Sequence, residues 1–266
     1  MKSNTLSIRN LNVSTRRQGS EAAIVSQVSL DLMEGEVLAM VGESGCGKSK
    51  TAEAIMGLLS GDAWKIQADA IELDGSNLVT LSEAGWRKVR GREISIIFQE
   101  PLTALDPVFT AGNQLCSVLR RHRGKTGREA RESSVAMLRR VGFGDPSRIM
   151  QCYPHQLSGG MRQRVMIAMA MACRPRVLIA DEPTTALDVT TQAQVLSQLI
   201  RLGREFGTSI LLITHDLGIV AQYCDRALVM FDGRIVEEAT VAELFAWPRH
   251  PYTRKLLASV PGARTG

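Results

Sequence analysis

The residues with the clearest chemistry are Gly42-Glu43-Ser44-Gly45-Cys46-Gly47-Lys48-Ser49, which match G-x-x-x-x-G-K-[ST]. Glycines at this spacing let the backbone curl until its N–H groups point inward, where phosphate oxygens can be held. A helix beginning at Gly47 adds its positive N-terminal end. Lys48 is expected to reach the β- and γ-phosphates and the Ser49 hydroxyl to ligate Mg²⁺. The alternative is a chance glycine-rich turn, but the continuous apolar run Val37–Val41 before it and a helical stretch after it, to about Leu59, supply the context such a cradle needs.

Two further constellations extend this chemistry. Val177-Leu178-Ile179-Ala180 is an apolar run ending in Asp181 and Glu182. A buried strand there delivers both carboxylates to the carboxyl edge of a sheet, where α/β folds bind ligands. Asp181 fits a Mg²⁺ ligand acting through water, and Glu182 fits the group that orients or deprotonates an attacking water. Alone, the pair also reads as a solvated acidic turn. Leu157-Ser158-Gly159-Gly160-Met161 opens the helical stretch Arg162–Cys173 and offers a second anion site at a helix start. One nucleotide does not need two phosphate cradles on one chain; a head-to-tail pair of chains does, with Ser158, Gly159 and Gly160 of one completing the γ-phosphate site of the other. A plain capped helix is the alternative.

The elements that must position these residues follow from hydrophobic pattern. Leu6–Val13 and Val28–Leu32 alternate as half-buried antiparallel strands do, with a polar loop between them over Ser14 to Ala22. Ile71–Leu73 and Ile94–Phe98 read as short strands. Between Pro101 and Gln156 the character turns helical, over Val118–Arg123 and Arg128–Val141, so 101–156 is expected to be a helical subdomain inserted in one domain spanning 1–266. The core resumes with strand Val177–Ala180, helix Thr190–Phe206 and strand Ser209–Ile213. A hairpin, Ala227–Phe231 and Arg234–Glu237, turns at Asp232-Gly233. Strands alternating with helices give an α/β fold around a parallel sheet.

Composition sets the outer limits. The chain has 266 residues, 44% hydrophobic and 22% charged, which suits a folded globular chain and not a disordered one. None of the five cysteines lies in a C-x-x-C pair, so neither a zinc site nor a disulfide scaffold is indicated. The first residues lack an apolar core, so no secretory signal is expected. The longest fully apolar stretch, Val165–Cys173, falls far short of the about 20 residues that span a bilayer. A membrane role therefore calls for a separate partner chain. The net charge of +5 does not by itself indicate nucleic acid.

Taken in order, the motifs resemble those of an ABC-transporter nucleotide-binding subunit. They are the phosphate loop at 42–49, Gln99 in Phe98-Gln99-Glu100-Pro101, the signature at 157–161, Asp181-Glu182, Thr185-Ala186-Leu187-Asp188, and His215 in Thr214-His215-Asp216. The resemblance covers about Leu6 to Leu257. It implies a P-loop NTPase core with an antiparallel β subdomain and an inserted helical subdomain, ATP and Mg²⁺ as ligands, and ATP hydrolysis. It also implies that Gln99 contacts Mg²⁺ and the attacking water and hinges the helical subdomain. Asp188 would shape a dimer interface, and His215 would contact the γ-phosphate as a switch. Singly, these three also read as a loop amide, a helix N-cap and a core histidine.

The sequence departs from the family pattern at three places. Met161 stands where many members have glutamine, Ser14-Thr15-Arg16-Arg17 stands where an aromatic residue usually stacks on adenine, and Lys50, counted among the nucleotide contacts, is unusually bulky and charged. An arginine could take the stacking role, and Lys50 could simply point to solvent.

Gly42-Glu43-Ser44-Gly45, the stretch 157–164, the stretch 180–189 and His250-Pro251-Tyr252-Thr253 resemble the oligopeptide, dipeptide and nickel importer branch. The end at Gly266, with no cysteine after Cys224, resembles the nickel members more, which weights the expectation toward nickel over peptide. Implied partners are a second, homologous ATPase subunit, two membrane permease subunits and a periplasmic or extracellular solute-binding protein, with the chain peripheral on the cytoplasmic face of the inner membrane. A non-transport ABC ATPase and a P-loop small-molecule kinase are the rival classes. The basic run Arg120–Lys125 reads as a solvated helix end or a contact with acidic lipid. Nucleic acid is not expected there, since no aromatic residues interleave with the charges.

Overall fold

The computed structural model describes residues 3–17, 20–99, 104–185 and 187–258. It divides into two compact units, Met1–Trp86 with Ser209–Gly266, and Arg87–Thr208.

The first unit carries an antiparallel sheet built on a long hairpin, β1 (Asn4–Arg17) and β2 (Ser20–Met33). Shorter strands β4 (Trp64–Gln67), β5 (Ala70–Leu73) and β6 (Ser76–Asn77) join it, in the order β2-β1-β5-β6 with β4 also paired to β1. The expected polar loop over Ser14 to Ala22 is corrected: the ladder continues through Ser14↔Ala23, Thr15↔Ala22 and Arg16↔Glu21 to Arg17↔Ser20, residues 18 and 19 lying outside the described residues. Polar cross-strand contacts, in place of hydrophobic alternation, hold this outer part of the hairpin. Ser14 Oγ donates to Glu21 at 2.6 Å, and Lys65 of β4 pairs with Glu21 at 3.3 Å.

The same unit holds parallel strands β3 (Val37–Val41), β9 (Ser209–Thr214) and β10 (Arg226–Phe231), with β11 (Arg234–Thr240) antiparallel at the edge. β3 lies between β10 and β9, and every residue of β3 and β9 is buried, as continuous apolar runs in a parallel sheet require. Ala39, Val41, Ala227 and Val229 pack with Leu217, Val220, Leu244, Tyr252 and Leu257 from helices Leu217–Tyr223, Val241–Ala246 and Pro251–Ala258. Arg226 spans to Glu36 at 2.9 Å and also bonds Glu238 and the Asp31 carbonyl, tying the sheet edge to the end of β2.

The second unit contains the parallel pair β7 (Ile94–Ile97) and β8 (Val177–Asp181). Between them in sequence run helices Ala111–Arg123, Gly127–Arg140, Pro146–Ile149 and Gly159–Met171, and no strand lies between 104 and 156 among the described residues. Positions 101–103 of the expected helical stretch lie outside the described residues. Thr110 caps the first helix, Gly124 ends it in a left-handed conformation, and Thr126 with Glu129 forms a capping box on the second. Helix Val189–Phe206 begins at the Asp188 cap. In the basic run, Arg123 donates to the Cys173 carbonyl and Lys125 to Ser133 Oγ at 2.6 Å, so two of its cations are bonded within the unit. No helix among the described residues is long and apolar enough to cross a membrane.

Candidate functional site

In the first unit the phosphate loop follows β3 directly, and helix Lys48–Ile55 begins where expected, with Gly47 as its left-handed N-cap. Gly42 cannot carry a side chain, because a Cβ there would lie 2.2 Å from the Met230 carbonyl oxygen. The Lys48 ammonium turns back into the loop and donates to the carbonyls of Gly42 at 2.7 Å and Glu43 at 2.9 Å, with Cys46 Sγ 3.7 Å away. Lys48 is 5% exposed, and its hydrogen-bond partners among the described residues are the Gly42 and Glu43 carbonyls and Cys46 Sγ, none of them a carboxylate. A buried cation held by loop carbonyls and a thiol, with no carboxylate beside it, fits an incoming polyanion. Ser49 is half-buried beside it, while Glu43, Ser44 and Gly45 are exposed at the loop rim.

Two neighbours complete this side. β9 pairs with β3 in the register Val41↔Thr214, so His215, the next residue along, emerges exposed at the same sheet edge as Gly42. Lys50 does not point to open solvent. Its ammonium bonds Glu53 at 2.6 and 2.9 Å and stands 5.0 Å over the Trp64 ring. Arg16 is exposed on the hairpin, and nothing is stacked on it among the described residues.

In the second unit Ile97↔Ala180 is the last register pair of β7 and β8, so Gln99 and Glu182 leave adjacent strands at equivalent positions. Gln99 Nε2 donates to Glu182 Oε2 at 2.9 Å, and Thr185 Oγ1 donates to the same oxygen at 2.9 Å. Glu182 sits at φ +43, a left-handed conformation that a glutamate rarely holds and that clusters at functional sites. Asp181, one residue earlier at the strand end, is 6% exposed. Glu100, Pro101 and Ala186 of the quoted motifs lie outside the described residues.

The signature also lies in this unit. Ser158 caps the helix Gly159–Met171, its Oγ accepting from Met161 N at 3.3 Å. A Cβ on Gly160 would lie 2.5 Å from Thr191 Cγ2, so close packing against helix Val189–Phe206 already demands glycine there. Asp188 is the N-cap of that helix, accepting from Thr191 N at 3.0 Å, and this backbone hydrogen bond holds its carboxyl below the usual range.

The oxygen donors expected for Mg²⁺ (the Ser49 hydroxyl, the Asp181 carboxylate and the Gln99 amide) suit a hard cation. Among the described residues no group of three or more His, Cys, Asp or Glu converges. Sequence reasoning missed Thr185 as a partner of Glu182, although it stood inside a quoted motif. It also missed Tyr252, whose hydroxyl accepts from Glu43 N at 2.9 Å, and Trp64, which lies in a strand too short and half-buried to show a pattern.

A glycine-rich loop with a buried lysine after one parallel strand, and an Asp-Glu pair after a parallel strand of the other unit, are features of P-loop nucleotide hydrolases. The chain belongs to the ABC transporter family, whose model matches residues 25–185. It is 50% identical to the oligopeptide transport ATP-binding protein AppD of Bacillus subtilis over 97% of this chain and 79% of that one. It is 50% identical to the dipeptide transport ATP-binding protein DppD of the same organism over 96% and 76%. With the glutathione import ATP-binding protein GsiA of Escherichia coli the identity is 49%, over 99% of this chain but 43% of the relative. Among solved structures, the ATP-binding cassette MJ0796, dimeric and bound to ADP and Pi, matches with TM-score 0.78 at 28% identity over 89% of this chain and 98% of that one. The structure of cbiO1 from Clostridium perfringens matches with TM-score 0.76 at 26% identity, over 97% of both chains. This chain is thus an ATP-hydrolysing cassette of that family.

Proposed function

We propose that this chain is the ATP-hydrolysing subunit of an importer for di- or oligopeptides, working peripherally on the cytoplasmic face of the inner membrane. The observation that carries the nucleotide part is Lys48, a buried ammonium enclosed by loop carbonyls. The solute reading rests on relatives near 50% identity, named for oligopeptide, dipeptide and glutathione transport. They move the weight from nickel to short peptides.

In this reading Gly42 to Ser49 hold the phosphates, with Lys48 moving from its resting carbonyls to the β- and γ-oxygens. Ser49, Asp181 and Gln99 would hold Mg²⁺, which would supply positive charge to offset that of the phosphates. Glu182, held on one oxygen by Gln99 and Thr185, orients the attacking water, and His215 meets the γ-phosphate. Ser158, Gly159 and Gly160 complete the site of a second, homologous ATPase. ATP drives closure of that pair through its higher affinity for the closed form. The helical segment 101–156 passes the motion to two permease subunits, which are fed by a solute-binding protein.

Uptake in cells lacking the gene tests the solute. Loss of labelled dipeptide uptake, restored by the wild type but not by Glu182→Gln, is the expected result. Loss of nickel uptake alone would overturn the peptide reading.

A further inference from the structure

The His250-Pro251-Tyr252-Thr253 motif has no part in the nucleotide chemistry described so far, yet it reaches the phosphate loop. Glu237 of β11 accepts from the backbone N–H groups of Arg249 and His250, both at 2.8 Å. The Tyr252 N–H donates to His250 Nδ1 at 3.2 Å. These bonds fix the start of helix Pro251–Ala258 and aim the Tyr252 side chain inward. Its ring lies 4.3 Å from that of Phe231, the last residue of β10, and the residue is 7% exposed. Burial raises the phenol pKa, so Tyr252 keeps its proton at neutral pH.

At the tip of this buried side chain the hydroxyl accepts from the Glu43 N–H at 2.9 Å. That N–H shares one peptide plane with the Gly42 carbonyl, which accepts from the Lys48 ammonium at 2.7 Å. In a trans peptide the N–H and C=O point in opposite directions. Tyr252 therefore holds the N–H side of the plane outward while the carbonyl side faces Lys48 within the loop; rotating the plane would break both bonds. The hairpin next to Phe231 braces the loop again, through Gly233 N–H to the Cys46 carbonyl at 3.1 Å.

We propose that Tyr252 is a positioning residue for the phosphate loop: its hydroxyl fixes the 42–43 peptide and with it the seat of Lys48, so that the C-terminal helix and the nucleotide site are coupled. The proposal rests on the phosphate-loop reading above. It makes the C-terminal helix part of the device that sets nucleotide affinity. Because coupling of binding free energies is reciprocal, nucleotide in the loop also steadies this helix.

Tyr252→Phe removes the hydroxyl and keeps the ring on Phe231. In the purified transporter complex the expected result is an ATP KM raised about tenfold, the scale of one lost hydrogen bond that leaves its donor unpaired. The expected kcat changes less than twofold, with the melting temperature held. Hydrogen exchange on the unaltered complex gives a second reading: adding ATP slows exchange over 251–258, and Tyr252→Phe abolishes that slowing. An unchanged KM, or exchange over 251–258 indifferent to ATP in the wild type, overturns the proposal. Lys48→Ala separates the two readings. If it loses ATP binding while Tyr252→Phe keeps wild-type affinity, only the role of Tyr252 fails; if it binds ATP normally, the phosphate-loop assignment itself fails.

Discussion

The side-chain amide of Gln99 donates to Oε2 of Glu182 at 2.9 Å, joining the residue after β7 to the residue after β8. Parallel register brings the two backbones level, and the carboxylate of Glu182, whose backbone is left-handed, meets both the amide and Thr185. If Gln99 acts by orienting Glu182, Gln99→Ala should lower ATP turnover about tenfold, the scale of a hydrogen bond to a charged group, and leave ATP affinity within twofold. Thr185→Val should give a smaller loss of the same kind. Steady-state kinetics on both variants check this; an unchanged kcat for Gln99→Ala would show that its amide does not orient Glu182.

Two glycines are needed for different reasons, and their variants should differ. Gly42→Ala drives a Cβ against the Met230 carbonyl, a backbone atom that cannot turn aside, so loss of ATP binding together with a lowered melting temperature is expected. Gly160→Ala meets only a methyl group of Thr191 and is expected to cost about 1–3 kcal/mol, as overpacking does. Thr191→Ser removes that methyl and should recover most of the loss. A double-mutant cycle read by thermal unfolding checks the coupling; additivity would show that Gly160 is required for something other than packing.

Gln163 is 1% exposed, and neither its amide nitrogen nor its amide oxygen has a hydrogen-bond partner among the described residues. An unpaired buried amide is destabilising, so Gln163→Leu should stabilise the protein by about 1–2 kcal/mol. Denaturant unfolding measures it, and a destabilised variant would mean that the amide is satisfied in solution.

Much of this arrangement was legible in the sequence, for identifiable reasons. β3 and β8 are continuous apolar runs that end at chemistry-bearing residues, so a buried strand and its exit could be read from the same residues. The register that brings Gln99 to Glu182 could not, because pairing of strands far apart in sequence leaves no local mark. The outer half of the β1–β2 hairpin was invisible for a different reason: its cross-strand pairs are polar, Ser14 to Glu21 and Lys65 to Glu21, and hydrophobic alternation is silent there. Gly160 shows the converse, a motif residue whose type packing alone already explains. Tyr252 was legible as part of a motif, but its hydrogen bond to Glu43 needed the helix placed against the sheet.

The cysteines give a prediction with a pH sign. Burial, with Asp225 adding to it, pushes the Cys224 thiol up to about 12. A raised thiol pKa favours the neutral form, so the thiolate fraction at pH 8 is roughly 10⁻⁴, and labelling by iodoacetamide should stay negligible from pH 7 to 9 until denaturant opens the fold. Cys46, half-buried in the phosphate loop beside Lys48, should label in the native protein, abolish ATP binding when labelled, and be protected by ATP. Mass spectrometry of both sites checks this; ATP-indifferent labelling of Cys46 would contradict the placement of nucleotide in the loop.

The central claim is that this chain hydrolyses ATP with Glu182 orienting the water. The most direct measurement is ATP binding and turnover of Glu182→Gln beside the wild type in the same purified complex. The account predicts wild-type ATP affinity with turnover reduced by about a hundredfold or more, as expected when the group that orients or deprotonates the attacking water is removed. Turnover within a few-fold of the wild type would contradict it and take Glu182 out of the chemistry.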